Sequence, residues 1–306
     1  MAKGFFTQSA MVLFERVPTL EQLETLLEPF EVVKANPEQG PAWMGGPSLL
    51  LPFRPEVNGY VLVDLVDRAW PDGMGDPQHD PDLFGAWTLG HFGPFVYPEN
   101  LARAKALSVH WPEAGAESSR HQGFVRIRSS YILGADESSP VLPEDYIPLP
   151  ELELVTRIAR ALLDAPAALA YFNPNGETLH SRTTFDEVQA WHAEHGLPPL
   201  PIWSHVRLFR LENPWLLMDT VGMDQLDTID HEAYFPGDSY EPGAVAAFLR
   251  NAADYVFSHG PVIKPGDTMD GPGDVHWQAE PREDGLAPRP RPVLRWTPLD
   301  GSRSPL

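Results

Sequence analysis

Residues 215–235 read WLLMDTVGMDQLDTIDHEAYF. Trp215 to Met218 is the aromatic and aliphatic run that opens a strand, and Asp219, Asp224, Asp227, Asp230 and Glu232 then set carboxylates among core-like positions. The surrounding span, 212–284, holds fifteen Asp or Glu against three Lys or Arg and so supplies twelve of the chain's twenty-one excess negative charges. A field of that sign and density steers cationic partners toward the surface and repels nucleic acid. The stretch is either a binding face for something basic or a catalytic pocket, and the charge excess favours the face.

Just before it, Ile202 to Leu211 reads as a strand; after it, Pro242 to Ser258 reads as a helix carrying Val245, Phe248, Leu249, Ala252 and Val256, closed by Gly260 before Pro261. Beyond Gly266 the composition predicts mostly loop, with Arg289, Arg291 and Arg295, set among prolines, as a flexible tail or edge segment. Further upstream, Thr184 and Glu187 form a capping box ahead of Phe185, Val188 and Trp191, with Gly196 as a left-handed stop. Leu152, Val155, Ile158 and Leu162 mark a helix that leads into the apolar run Ala167 to Phe172.

In the first half, Ala10 to Phe14 predicts a strand and Thr19 with Gln22 a capping box. Ser48 to Phe53 and Gly59 to Val66 predict a hairpin, Pro71 to Pro81 a loop, Gly85 to Phe92 a strand and Pro98 to Leu107 a helix. Phe124 to Ile132 predicts a half-buried strand, Val125 and Ile127 opposite Arg126 and Arg128. Strands and helices are interspersed without sustained βα alternation, which predicts an α+β fold with a mixed, largely antiparallel sheet covered by helices. The proline- and acid-rich stretch Pro140 to Pro150 suggests two similar-sized α+β halves, 1–148 and 149–306, the second holding the acidic segment and a loop-rich tail.

The 306 residues are 42% hydrophobic, with nine Trp and fifteen Phe, enough to bury a substantial core. Thirty-four Pro and twenty-four Gly imply many turns and short elements. Cysteine is absent, which excludes disulfides, thiolate metal sites and Cys nucleophiles. The opening MAKGFFTQSAMVLFERVP lacks the continuous apolar region of a secretory signal. No stretch approaches the roughly twenty apolar residues that a bilayer crossing requires, so a cytoplasmic protein with no membrane association is expected.

His231 and Glu232, with the carboxylates upstream, are the best candidates for metal binding or acid–base work, but the second His of a helical zinc pattern is replaced by Phe235. Asp267 to Asp274, DTMDGPGD, lacks the ligand alternation and terminal Glu of a calcium loop and reads more simply as a turn. His192 and His195 fall near a helix C-terminus, where a capping role suits them. No nucleophile elbow, phosphate-binding Gly-Lys-Ser/Thr loop or dinucleotide glycine fingerprint occurs. Trp43 to Gly46 and Gly90 to Phe95 are loop-borne aromatics and glycines that either complete a core or bind a partner. No catalytic residue, resident metal or cofactor is therefore assigned.

From the helix at Leu152 onward, the segments ELELVTRIARALL, AALAYFNPNGETL, LPPLPIWSHVRLFRL and MDTVGMDQLDTIDHEAYF follow an order that resembles a bacterial family of domains of unknown function. The whole chain, through Trp43-Met44-Gly45-Gly46, the α+β organisation and the lack of an enzymatic signature, resembles immunity proteins of polymorphic toxin and type VI secretion systems, those that neutralise nuclease effectors of restriction-endonuclease fold. That resemblance implies a non-catalytic protein that occludes a basic cognate toxin by stoichiometric binding. Asp224, Asp227, Asp230 and Glu232 would then supply part of an acidic face, with Trp43 and Trp215 as anchors or core residues. The alternative is a metal-dependent hydrolase using His, Glu and Asp side chains between residues 219 and 274.

Overall fold

A computed structural model describes residues 3–108, 110–136 and 139–301. The fold is α+β, and the chain divides into two compact units, residues 1–202 and 203–306, each built on its own sheet.

The first unit runs β1 (Gln8–Phe14), α1 (Leu20–Leu27), β2 (Lys34–Asn36), β3 (Ser48–Arg54), β4 (Gly59–Val66), α2 (Pro81–Thr88), α3 (Asn100–Leu107), α4 (Ala114–Ser118), β5 (Gly123–Ser130), α5 (Pro148–Leu162), β6 (Ala168–Asn173), β7 (Thr178–His180) and α6 (Arg182–His195). Its strands pair antiparallel in the order β2-β3-β4-β5-β1-β6-β7. β1 is buried along its whole length because both sheet faces are covered. Helix α5 packs on β1 and β5 through Leu152, Val155, Ile158, Ala159 and Leu162 at helical spacing. On the other face Met11 and Leu13 join Phe124, Phe172, Trp70, Trp87 and Phe92.

A one-turn α7 (Leu200–Trp203) leads into the second unit, which runs β8 (His205–Arg210), β9 (Trp215–Val221), β10 (Asp230–Pro236), α8 (Pro242–His259), β11 (Thr268–Gly271), β12 (Val275–Arg282) and β13 (Val293–Pro298). The sheet order is β11-β12-β13-β10-β9-β8, antiparallel except that β10 and β13 run parallel. Helix α8 begins where the Glu241 side chain accepts from Ala244 N with Pro242 at the first helical position. Val245, Phe248, Leu249 and Ala252 bury one face of this sheet together with Phe235, Trp277 and Trp296.

The observed division differs from the one expected near residue 148. β6 pairs with β1 and α5 packs on the same sheet, so the stretch to residue 202 completes the first unit despite the proline-rich connection before it. Four elements also differ from expectation. Gly85 to Phe92 is not a strand, because Asp80 accepts from Leu83 N with Pro81 at the first turn and starts α2 there. α6 is capped by Ser181, which accepts from Thr184 N, rather than by Thr184 itself. β5 is buried on both faces rather than half-buried. The expected loop after Gly266 instead forms β11, β12 and β13.

The burial pattern of α8 sets up a within-helix comparison. Phe248→Ala should destabilise the protein by about 3–5 kcal/mol through the cavity it leaves between Trp277 and Trp296, whereas Tyr255→Ala, on the exposed side, should cost less than about 1 kcal/mol. Equal losses in urea denaturation would show that this face is not the packed one.

Candidate functional site

Alternation along β9 and β10 sends successive side chains to opposite faces. Met218, Ala233 and Phe235 face α8, whereas Asp219 and Glu232 are register partners and share the other face with Arg207 of β8 and Arg295 of β13. This second face is not open. The segment Gly285 to Arg291 lies across it as a strap, with Ala287 packed on Leu217 and Tyr234. Leu286 N donates to Glu232 Oε2 at 2.6 Å, and Arg295 Nε donates to Oε1 at 2.7 Å.

Under the strap the carboxylates are met by arginines. Asp219 accepts from Arg207 Nε at 3.0 Å and Nη2 at 2.5 Å, and from Arg291 Nη2 at 2.7 Å. Asp230 accepts from Arg291 Nε at 2.7 Å, from Thr220 Oγ1 at 2.9 Å and from Met223 N at 3.2 Å. Asp224 receives Arg289. Burial works against the charge on Asp230, yet Arg291 and Arg289 hold its carboxyl below the usual range. For Asp224 burial prevails over Arg289 and pushes the carboxyl up to about 6.

Residues expected to form an acidic surface are thus mostly interior. Asp224, Asp230 and Glu232 are 5%, 2% and 0% exposed, whereas Asp227 is exposed, in a left-handed conformation at the end of a 3₁₀ turn. Trp215 is half-buried and stacks on Tyr234 with ring centroids 4.5 Å apart. Arg289 and Arg291, expected in a flexible tail, are buried. Their carboxylate partners lie 61 to 72 residues upstream in the chain, so local composition carries no sign of them.

His231 points away from this network, toward the α8 face. Its Nδ1 accepts from Trp296 Nε1 at 3.0 Å, Nε2 is buried without a partner, and burial lowers its pKa to about 4. His231 and Glu232, adjacent on a strand, therefore do not converge on one point. The Asp267–Asp274 loop lies at the β11 edge, separated from β10 by β12 and β13. Among the described residues no three His, Asp or Glu side chains gather as a metal site requires.

Trp43 belongs to the first unit and sits above a second charge cluster that sequence reading passed over. Asp64 of β4 opposes Arg126 of β5 in register and binds it through Nε at 3.0 Å and Nη2 at 2.6 Å, while Arg128 Nη2 reaches the same carboxylate at 2.9 Å. All three are fully buried. Arg126 Nη1 also donates to the Trp43 and His91 carbonyls, at 2.8 and 3.2 Å, and Arg128 Nη1 lies 2.8 Å from His91 Nδ1. The two loops singled out by their aromatics and glycines thus meet here. The available signal was Asp64 within an otherwise apolar strand, facing two arginines spaced two apart on another.

Residues 219–297 match a family described as a domain of unknown function (DUF4261). The match spans β9 to β13, including Asp219, Asp224, Asp230, Glu232 and the strap arginines, but not Arg207. Neither a curated protein nor a solved structure matches the chain. No described helix is long and apolar enough to cross a membrane.

Removing one member of the network should cost far more than its net contribution suggests. Arg291→Met removes the bound guanidinium of Asp230 and one of the two that Asp219 holds and should lower stability by about 3–5 kcal/mol in urea denaturation; a loss under about 1 kcal/mol would contradict the buried pairing. His231 gives a pH signature. Its folded pKa of about 4 lies below the ordinary 6.5, so between those values the unfolded chain binds a proton that the folded one refuses. Its contribution is present above pH 6.5 and lost on acidification toward pH 4. His231→Gln should flatten stability against pH across that window; an unchanged slope would assign the dependence elsewhere.

Proposed function

We propose that this chain is a binding protein of the immunity type, which captures and occludes a basic partner protein, such as a secreted nuclease toxin, by stoichiometric contact through an acidic exterior. The observation that carries the reading is where the charge lies. Among the described residues seven buried carboxylates are set against six buried Lys or Arg, so the interior is close to neutral and nearly all of the net charge of −21 falls on the surface. Acidic surface of that weight accelerates encounter with a cationic protein and disfavours nucleic acid as a ligand.

The geometry favours a different set of carboxylates from the buried ones. Asp267, Asp270, Asp274, Glu280, Glu283 and Asp284 are exposed along the β11–β12 edge of the second unit, accompanied there by Arg282 and, just before β11, by Lys264. Asp227 remains on the surface and Trp215 on a half-buried rim, a combination of charge for steering and aromatic area for anchoring. Asp224, Asp230 and Glu232 hold the second unit together beneath this surface.

Co-expression with the product of the adjacent gene, scored by growth rescue and co-purification, tests the reading. Asp267→Lys, Asp270→Lys and Asp274→Lys combined should leave folding intact and weaken capture of the basic partner by about tenfold or more at low salt, with the difference shrinking as salt rises. Unchanged, salt-independent capture would remove the hairpin from the interface. Failure of the adjacent product to co-purify or to be neutralised would count against the immunity reading itself.

A further inference from the structure

The first unit holds a pocket whose sign is opposite to that of the protein around it. Arg126 and Arg128 are sealed from solvent and share the single carboxylate of Asp64. His91, the remaining titratable group in contact, is kept neutral by burial and by the two guanidiniums, with its pKa pressed to about 3. The other buried carboxylates of this unit are engaged elsewhere, Glu151 with Thr7 and Tyr146 and Glu177 with Arg103. The cluster therefore carries one positive charge in excess, and Arg128, whose Nε has no hydrogen-bond partner, is covered by the Phe6 ring with its Cζ 4.1 Å from the ring centre. An uncompensated buried cation is costly unless an anion completes it.

Arg126, but not Arg128, lines a cavity of about 270 Å³ together with Trp43, Arg68, Asp67, Gln39 and Ala42. The exposed Arg68 guanidinium lies 5.3 Å from the Trp43 ring centre and is ion-paired to no carboxylate among the described residues. The Trp43 backbone is held at φ 67, a left-handed conformation uncommon for a bulky residue, with its carbonyl accepting from Arg126. Gly46 fixes the loop from the other end, since a Cβ there would lie 2.0 Å from the Leu65 carbonyl oxygen. The wall is thus preformed around an aromatic surface and two guanidiniums.

We propose that this cavity binds a small, singly charged aromatic carboxylate. Its carboxylate pairs with the exposed Arg68 within the positive field of the sealed Arg126, and its ring lies against Trp43. Asp67 on the wall opposes a second negative charge and so disfavours multiply charged anions. The site lies wholly in the first unit and does not depend on the acidic hairpin.

Titration of the full chain with benzoate, its neutral isostere benzamide and inorganic phosphate, followed by calorimetry and tryptophan fluorescence, tests the site. Benzoate should bind at least about tenfold more tightly than benzamide, as loss of a charged hydrogen-bonding group predicts, and more tightly than phosphate. Arg68→Gln, at an exposed position, should fold normally and weaken benzoate by a similar factor. Trp43→Phe should retain part of the affinity while losing the fluorescence change. Equal binding of benzoate and benzamide, no benzoate binding in the millimolar range, or full affinity in Arg68→Gln would overturn the proposal, and tighter binding of phosphate would overturn the carboxylate assignment.

Discussion

In each unit, one carboxylate is gripped by two guanidiniums on a sheet face. Asp64 holds Arg126 and Arg128 in the first, and Asp219 holds Arg207 and Arg291 in the second. All six residues are buried, so none can lose its partner without leaving a bare charge in a low-dielectric interior. Apolar replacements of similar volume could match such pairs in stability. What the pairs supply is position: a guanidinium bound through two nitrogens to a carboxylate accepts few alternative geometries. Strand register, the strap over the second sheet and the Trp43 loop over the first all follow from where those nitrogens end up.

The division of labour between the two faces of the second sheet follows from the same constraint. One face is apolar and takes a helix. The other carries three carboxylates, Asp219, Asp230 and Glu232, and an ordinary amphipathic helix could not cover it, since an apolar stripe offers nothing to them. A proline-punctuated strap carrying Arg289 and Arg291 can, because its run of bends, with Arg289 at φ 76, presents guanidiniums and backbone N–H groups to the sheet, as Leu286 N does to Glu232. The DUF4261 match encloses both the strands and the strap, so the covering segment belongs to the same matched span as the carboxylates it neutralises.

Local patterns in the sequence made much of the fold legible. The Thr19–Gln22 capping box, the Gly196 stop and the apolar stripes of α5 and α8 are all present, because each depends on residues within a few positions of one another. What was not legible depends on pairing across the chain. The unit boundary follows from β6 joining β1 across some 160 residues. The acidic positions of 219–232 look like a surface until Arg207, Arg289 and Arg291 are placed beside them. Charge density in a sequence counts carboxylates without saying which have been neutralised, and here the densest alternation of apolar and acidic residues proved to be core.

This sorting also changes what the acidic composition means. Carboxylates in strands that alternate with large apolar residues, and Asp224 in the turn between them, were drawn inward and required arginines, whereas Asp227 and those at the β11–β12 edge stayed outside with few cations nearby. An edge strand bearing unpaired backbone groups would invite association with other strands, and negative charge beside it deters another acidic edge, including that of a second copy. The same charge admits a basic one. If the protein captures a basic partner, as proposed, such a surface selects it by sign before any contact forms, and the paired ionic interior of the second unit leaves that selection to the exposed carboxylates.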